Sequence, residues 1–346
     1  MQVTPGKTKR SAIGPWLGLA LAFGGRAAVA DEVPWYERPG CQEINALFLG
    51  VEPDKAEERA RKLDASKDPD DQACALWVRV SFSEFQLGLF GKTPENLSLR
   101  KKHLTRMFSF AKANKQKGIR FLDMELEARL RRTRILNEEG QRTQALEELR
   151  QLQSLVAERD AQKQPATPAF EYTRGVMNAA LASPGWAARA VLSIAGLSID
   201  PAVGAQHLHT LVDGDTVYRF DAAYVAHYFG EELGEKYFRK PSVYTKLVAE
   251  AFPTNPQFVY ERSLDLLKAK DAKPALLLLR PIGERIDQTP GIWSAPIRAK
   301  VLYALARAEA VAGDKQKAKA RAEGAKAEHF ADLADKISDL LEELGS

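Results

Sequence analysis

His207-Leu208-His209 is the closest pairing of metal-ligating or proton-moving side chains in this chain, and Asp213 and Asp215 follow it. On a helix, residues at i and i+2 point to different faces, unlike the i, i+4 histidines of zinc peptidases, so the expected setting is a solvated helix end and turn. His103, His227 and His329 stand alone in the sequence. No Gly-x-Ser-x-Gly elbow, phosphate-cradling glycine loop, His-Glu-x-x-His or Cys-x-x-Cys occurs. The paired carboxylates Glu57-Glu58, Glu138-Glu139, Glu147-Glu148 and Glu231-Glu232 are adjacent residues, which diverge by about 100° around a helix, and each lies near Lys or Arg. They are expected on solvated faces. The chain is therefore expected to carry no catalytic residue, metal or cofactor, and a helical hydrolase acting through His207 or His209 is the weakest functional reading.

Two stretches suit binding. Between Arg100 and Arg134 there are twelve Lys or Arg and three acids, Asp123, Glu125 and Glu127. If Arg106, Arg129, Arg131 and Arg132 share an exposed face, that face suits an acidic peptide, an anionic polysaccharide or a lipid headgroup. The alternative is a solvated surface balanced by acidic neighbours at 52–58 and 64–71. Nucleic acid is a poor partner, since Phe108, Phe110 and Phe121 have the phase of a core and not of a base-stacking row. The second stretch places eight of the 29 aromatics between Tyr218 and Tyr244. Core packing is the first reading of this stretch; the alternative is a wet, partner-facing surface, for which Tyr224 and Tyr228, one helical turn apart, are the pair to be exposed.

Composition narrows where these stretches work. The 346 residues hold 50 Lys+Arg against 46 Asp+Glu, a net charge of +4. Lys7, Lys9, Arg10 and Arg26 account for that excess, so the chain from Asp31 is neutral. A mean hydropathy of −0.33 and 28% charged residues exclude a polytopic membrane protein, while 45% hydrophobic residues are too many for a disordered chain. Residues 1–30 have the form of a signal peptide: a basic start, an apolar stretch from Ala12 to Gly24, and Ala28-Val29-Ala30 before the cleavage point at Asp31. The expected location is periplasmic or extracellular, with an uncleaved amino-terminal anchor in the inner membrane as the alternative. No transmembrane span is expected in the mature chain. Export places Cys41 and Cys74 in an oxidising compartment, where an even count suggests one bridge.

The elements that position these residues have helical periodicity almost throughout, and no strand is expected. An amphipathic helix over 69–90 carries Cys74, Trp77, Val78, Phe82, Phe85 and Leu89 at three- and four-residue steps. Further helices are expected over 94–116, 119–139, 141–161, 169–182, 185–196, 201–212, 217–230, 241–251, 255–270, 272–287, 296–312, 314–328 and 331–344. Internal repetition is visible. Leu136, Gly140, Ala145, Leu149 and Leu152 set a spacing that Gly313, Ala318, Ala322 and Ala325 repeat, and Ala275, Leu279 and Ile282 keep its phase with Lys270 in the glycine's place.

These spacings resemble the tetratricopeptide repeat, a pair of antiparallel helices of about 34 residues. Thr133, Ser263 and Ala306 match its small first-helix residue, Gly140 and Gly313 its turn, and Ala145, Ala275 and Ala318 its second-helix alanine. Phe252-Pro253-Thr254-Asn255-Pro256 resembles the turn between one repeat and the next. The matches cover 126–158 and 256–325, and the aromatic at the family's fourth position is absent from most of them. The resemblance implies an all-α, right-handed solenoid of stacked hairpins, arranged as amino-terminal hairpins over 31–160 and carboxy-terminal hairpins with a closing helix over 161–346. It also implies a non-catalytic scaffold that binds a protein or peptide in its concave groove. On that reading Cys41 and Cys74 occupy equivalent places on neighbouring first helices, within reach of a disulfide that staples an exposed first hairpin.

Overall fold

The computed structural model describes residues 33–183, 200–288, 295–327 and 331–345. The expected leader and its cleavage point, the helix expected over 185–196, and His329 lie outside them. Among the described residues there are 15 α-helices and no strand. They are α1 (Pro39–Leu49), α2 (Pro53–Asp64), α3 (Pro69–Phe90), α4 (Pro94–Asn114), α5 (Ile119–Glu138), α6 (Arg142–Ala161), α7 (Pro168–Ala182) and α8 (Pro201–Asp213). The series continues with α9 (Arg219–Leu233), α10 (Pro241–Ala251), α11 (Pro256–Lys268), α12 (Ala272–Gln288), α13 (Ala295–Val311), α14 (Lys315–Ala327) and α15 (Ala331–Gly345).

Local chemistry sets most of these boundaries. Proline opens α3, α4, α7, α8 and α11, where its missing N–H costs no helical hydrogen bond. Immediately before those prolines, Asp68, Thr93, Thr167, Asp200 and Asn255 accept backbone N–H groups of the first turn. The turns α5–α6, α11–α12 and α13–α14 each carry a left-handed residue at the same register: Gly140 (φ 75°), Lys270 (φ 59°) and Gly313 (φ 89°). Lys270 adopts there a conformation that costs a side chain about 1–2 kcal/mol, so the turn geometry is held by the hairpin and not by glycine alone. Where the paired helices cross, Ser263, Ala275, Ala306 and Ala318 have no exposure.

Consecutive helices pack on one another through most of the described chain, while α7 packs on α5 rather than on the preceding α6. Residues Pro34–Ser346 form one compact unit, and α5 packs on α7 across the expected boundary near residue 160. The disulfide joins Cys41 of α1 to Cys74 of α3, with Cα atoms 5.7 Å apart. The bridge itself is buried, with Cys41, Cys74 and Trp77 at no exposure and Phe48 stacked on Phe82 at 4.2 Å, while most of α2 between the two cysteines is exposed or half-buried.

α3 departs furthest from expectation. Residues 73–83 are buried without interruption, so α3 is enclosed rather than amphipathic. Arg79 sits inside because Glu57 and Asp64 of α2 pair with its guanidinium at 3.0 and 2.9 Å. Towards its end α3 meets distant helices: Phe85 packs on Tyr224 of α9 and Phe258 of α11, and Lys300 of α13 donates to the Gly88 carbonyl at 3.0 Å. Asn255 likewise donates to the Leu49 carbonyl at 2.6 Å. A stack whose hairpins touch only their neighbours has no such contacts. Here α3 packs on α9, α11 and α13 of the same chain.

Candidate functional site

The basic stretch does not form one face. Arg100 is 1% exposed and donates to Glu138 at 2.8 Å. Arg129, on α5, pairs with Glu125 at 3.1 Å and Glu148 at 2.8 Å while lying over the Phe108 ring. Arg106 of α4 is exposed but pairs with Asp64, and Arg132 is exposed with Glu148 3.7 Å away. The Arg131 side chain is 4% exposed and belongs to no open basic face. Its guanidinium binds Glu84 at 2.6 Å and Glu127 at 2.7 Å, reaches the Ser81 hydroxyl, and lies over the Tyr172 ring.

The charges of α5 therefore form the interior joint between α3, α5 and α9. Glu127 has no exposure and accepts from Trp77 Nε1 at 3.0 Å, from the Tyr218 hydroxyl and from Arg131. Burial pushes its carboxyl up from the ordinary range, and Arg131 opposes the shift. Asp221 of α9 lies 3.7 Å from Arg131. Burial raises its pKa to about 6, against the pull of Arg131 and a hydrogen bond from Ser81, with Glu127 and Glu84 adding to the rise. A carboxyl raised in the folded state contributes stability that is complete below the unfolded value of 3.8 and is lost as the pH rises through about 6. Asp221→Asn is thus expected to gain stability relative to the wild type across that interval, by up to about 3 kcal/mol. Denaturant midpoints of both proteins measured at several pH values check it, and parallel curves reject it.

The aromatic stretch divides between core and surface. Tyr218 and Tyr244 have no exposure, and Phe238 is buried. Tyr224 is half-buried against Phe85 and Phe258 rather than open. Tyr228, one turn further on α9, is 39% exposed, and the two hydroxyls are 2.9 Å apart. Tyr228 stands between two cavities and lines both. One, of 480 Å³, lies among α5, α6, α7 and α9, with walls including Leu130, Met177, Leu181, Val225 and Phe229 and with Arg131, Arg134 and Glu84 also lining it. The other, of 400 Å³, lies among α9, α11, α13 and α15 and mixes tyrosine and leucine walls with acidic and lysine side chains.

A hydrogen-bonded chain crosses the second cavity. Lys300 Nζ donates to Gln257 Oε1 at 3.0 Å, Gln257 Nε2 donates to Glu261 Oε1 at 2.6 Å, and the Tyr228 hydroxyl donates to the same oxygen at 3.1 Å. Glu261 Oε2 has His227 Nε2 4.0 Å away. Burial pushes the Glu261 carboxyl up, with His227 and Lys300 pulling it down. His227 is 3% exposed, and its Nδ1 is buried with no hydrogen-bond partner. Sequence reasoning identified Tyr228 but not Gln257, Glu261, His227 or Lys300. Gln257 and Glu261 are an i, i+4 pair on α11 of the kind found on any helix surface, and Lys300 arrives from α13.

His207 and His209 diverge as their spacing requires: His207 Nδ1 meets Glu171, and His209 Nε2 lies 2.6 Å from the Tyr244 hydroxyl. Asp213 pairs with Arg239 at 2.8 Å. Among the described residues no group of three or more His, Cys, Asp or Glu is placed to hold a metal, and no helix is long and apolar enough to cross a membrane. No protein-family model matches the chain, and no curated protein is detectably similar to it.

Proposed function

We propose that this protein is an exported, non-catalytic binding protein of tetratricopeptide type, and that it holds an extended peptide segment of a partner protein across Tyr228. Three hairpins with a left-handed turn residue at one register support the repeat reading, and the Cys41–Cys74 disulfide supports an oxidising compartment. On this reading α3 occupies part of the surface of α9 and α11, and the peptide is held on α9 at Tyr228. The observation that carries the reading is Tyr228 itself: an exposed ring with a fixed hydroxyl, bordering an apolar cavity large enough for a bulky side chain. The exposed Arg106 and Arg132 are engaged with Asp64 and Glu148, which weakens the case for an anionic polysaccharide or lipid headgroup on that stretch.

Peptides selected from a displayed library on the chain from Asp31 provide the test. Tyr228→Ala at the lip and Val225→Glu inside the apolar cavity are expected to weaken the selected peptides by about tenfold or more, which is about 1.4 kcal/mol, while Arg132→Ala leaves binding unchanged. Affinity that survives both substitutions in folded protein rejects the assignment.

A further inference from the structure

We infer that the second cavity, between α9, α11 and α13, is a binding site for a neutral saccharide unit. The charges lining it, three acids and three lysines, favour neither an anion nor a cation. Glu231, Glu261 and Asp265 would face an anion, and Lys268, Lys300 and Lys336 would face a cation. Lys268 already holds Glu231 at 2.6 Å and lies 3.6 Å from Asp265. What suits the cavity is a ligand with no net charge that offers many hydroxyls, each able to donate and accept. The groups present alternate in the same way. Glu261 Oε1 accepts from Gln257 and Tyr228, and Oε2 has His227 Nε2 4.0 Å away. The Tyr224 and Tyr228 hydroxyls and the Gln257 amide are held in place by one another and by Lys300.

Aromatic walls complete the fit. Tyr228, 39% exposed, offers apolar ring surface for the C–H face of a sugar, while the half-buried Tyr224 and the buried Tyr260 also line the cavity beside polar groups that fix the ligand's orientation. α3 contributes Gly88, whose missing side chain leaves the nearest Tyr224 and Gln257 atoms 3.9 Å from where a Cβ would stand. The volume of 400 Å³ lies within the range of about 300–1,000 Å³ typical of small-molecule sites. This site does not rest on the peptide assignment, because Gln257 and Glu261 line this cavity and not the apolar one.

Titration of the ¹⁵N-labelled chain from Asp31 with maltose, cellobiose and N,N′-diacetylchitobiose tests the inference. At least one is expected to bind with a Kd of about 1 mM or tighter, shifting the Gln257 side-chain amide and the α9 backbone near Tyr228. Gln257→Ala and Glu261→Ala are each expected to weaken that binding by about tenfold, whereas Leu277→Ala, on the exposed side of α12, leaves it unchanged. The inference is overturned if none of the three shifts those signals, if the shifts fall elsewhere on the protein, or if the folded variants bind as the wild type does. Galacturonate or glucosamine binding there about tenfold more tightly than the neutral sugars overturns it as well. The wild-type titration decides the matter even if a variant fails to fold.

Discussion

Arg131→Ala is expected to lower the unfolding free energy by about 3–5 kcal/mol. The guanidinium is 4% exposed and lies within 4 Å of three carboxylates, Glu84, Glu127 and Asp221, carried on three helices. Removing it leaves those acids buried together without their cation, and Glu127 is the most exposed to the loss because it has no contact with water. The proton uptake that would relieve the repulsion itself costs free energy near neutral pH. Arg132→Ala, one residue away on the solvent side, is expected to change stability by no more than about 0.5 kcal/mol. Urea unfolding followed by circular dichroism compares the two directly. Equal midpoints would mean that the α5 charges are not the joint between α3 and α9.

The second large effect belongs to the disulfide. Opening the Cys41–Cys74 bridge, which closes a separation of 33 residues, is expected to cost about 4 kcal/mol through the added freedom of the unfolded chain. The double substitution Cys41→Ser, Cys74→Ser should show that loss in urea, and the wild type in strong reductant should match it. The consequence extends beyond the first hairpin, because α1 and α3 carry Phe48, Phe82 and Trp77 against the rest of the core. Loosening α3 is therefore expected to lower the exchange protection of α9 as well, through the Trp77–Tyr218 contact at 4.7 Å. A reduced protein with an unchanged urea midpoint contradicts this account.

Some of the architecture was legible before any coordinates. Proline-opened helices with Asp, Thr or Asn caps are local events, and their boundaries agree with the periodicity to within a few residues in most cases. The turn register shared by Gly140, Lys270 and Gly313 was visible as spacing, and the structure repeats it in backbone angles. The cysteine pairing was suggested by the even count and by the resemblance to a hairpin repeat, which puts the two residues on neighbouring helices, and the disulfide joins them.

Other features were illegible for a physical reason. Glu127 and Arg131, or Glu125 and Arg129, have the i, i+4 spacing of a solvated helix face, and nothing local separates a surface ion pair from a buried one. The enclosure of α3 likewise depends on helices more than 100 residues away.

The sequence by itself determined the helices, their caps, the repeat phase and the neutrality of the chain beyond its first thirty residues. Each of these is settled by neighbours within a few turns or by composition. Only the tertiary structure decided which charges are interior, that α3 packs against α9, α11 and α13, and that Tyr228 borders two cavities. Burial is a property of what packs from outside a segment, so no pattern within α5 or α9 could have expressed it.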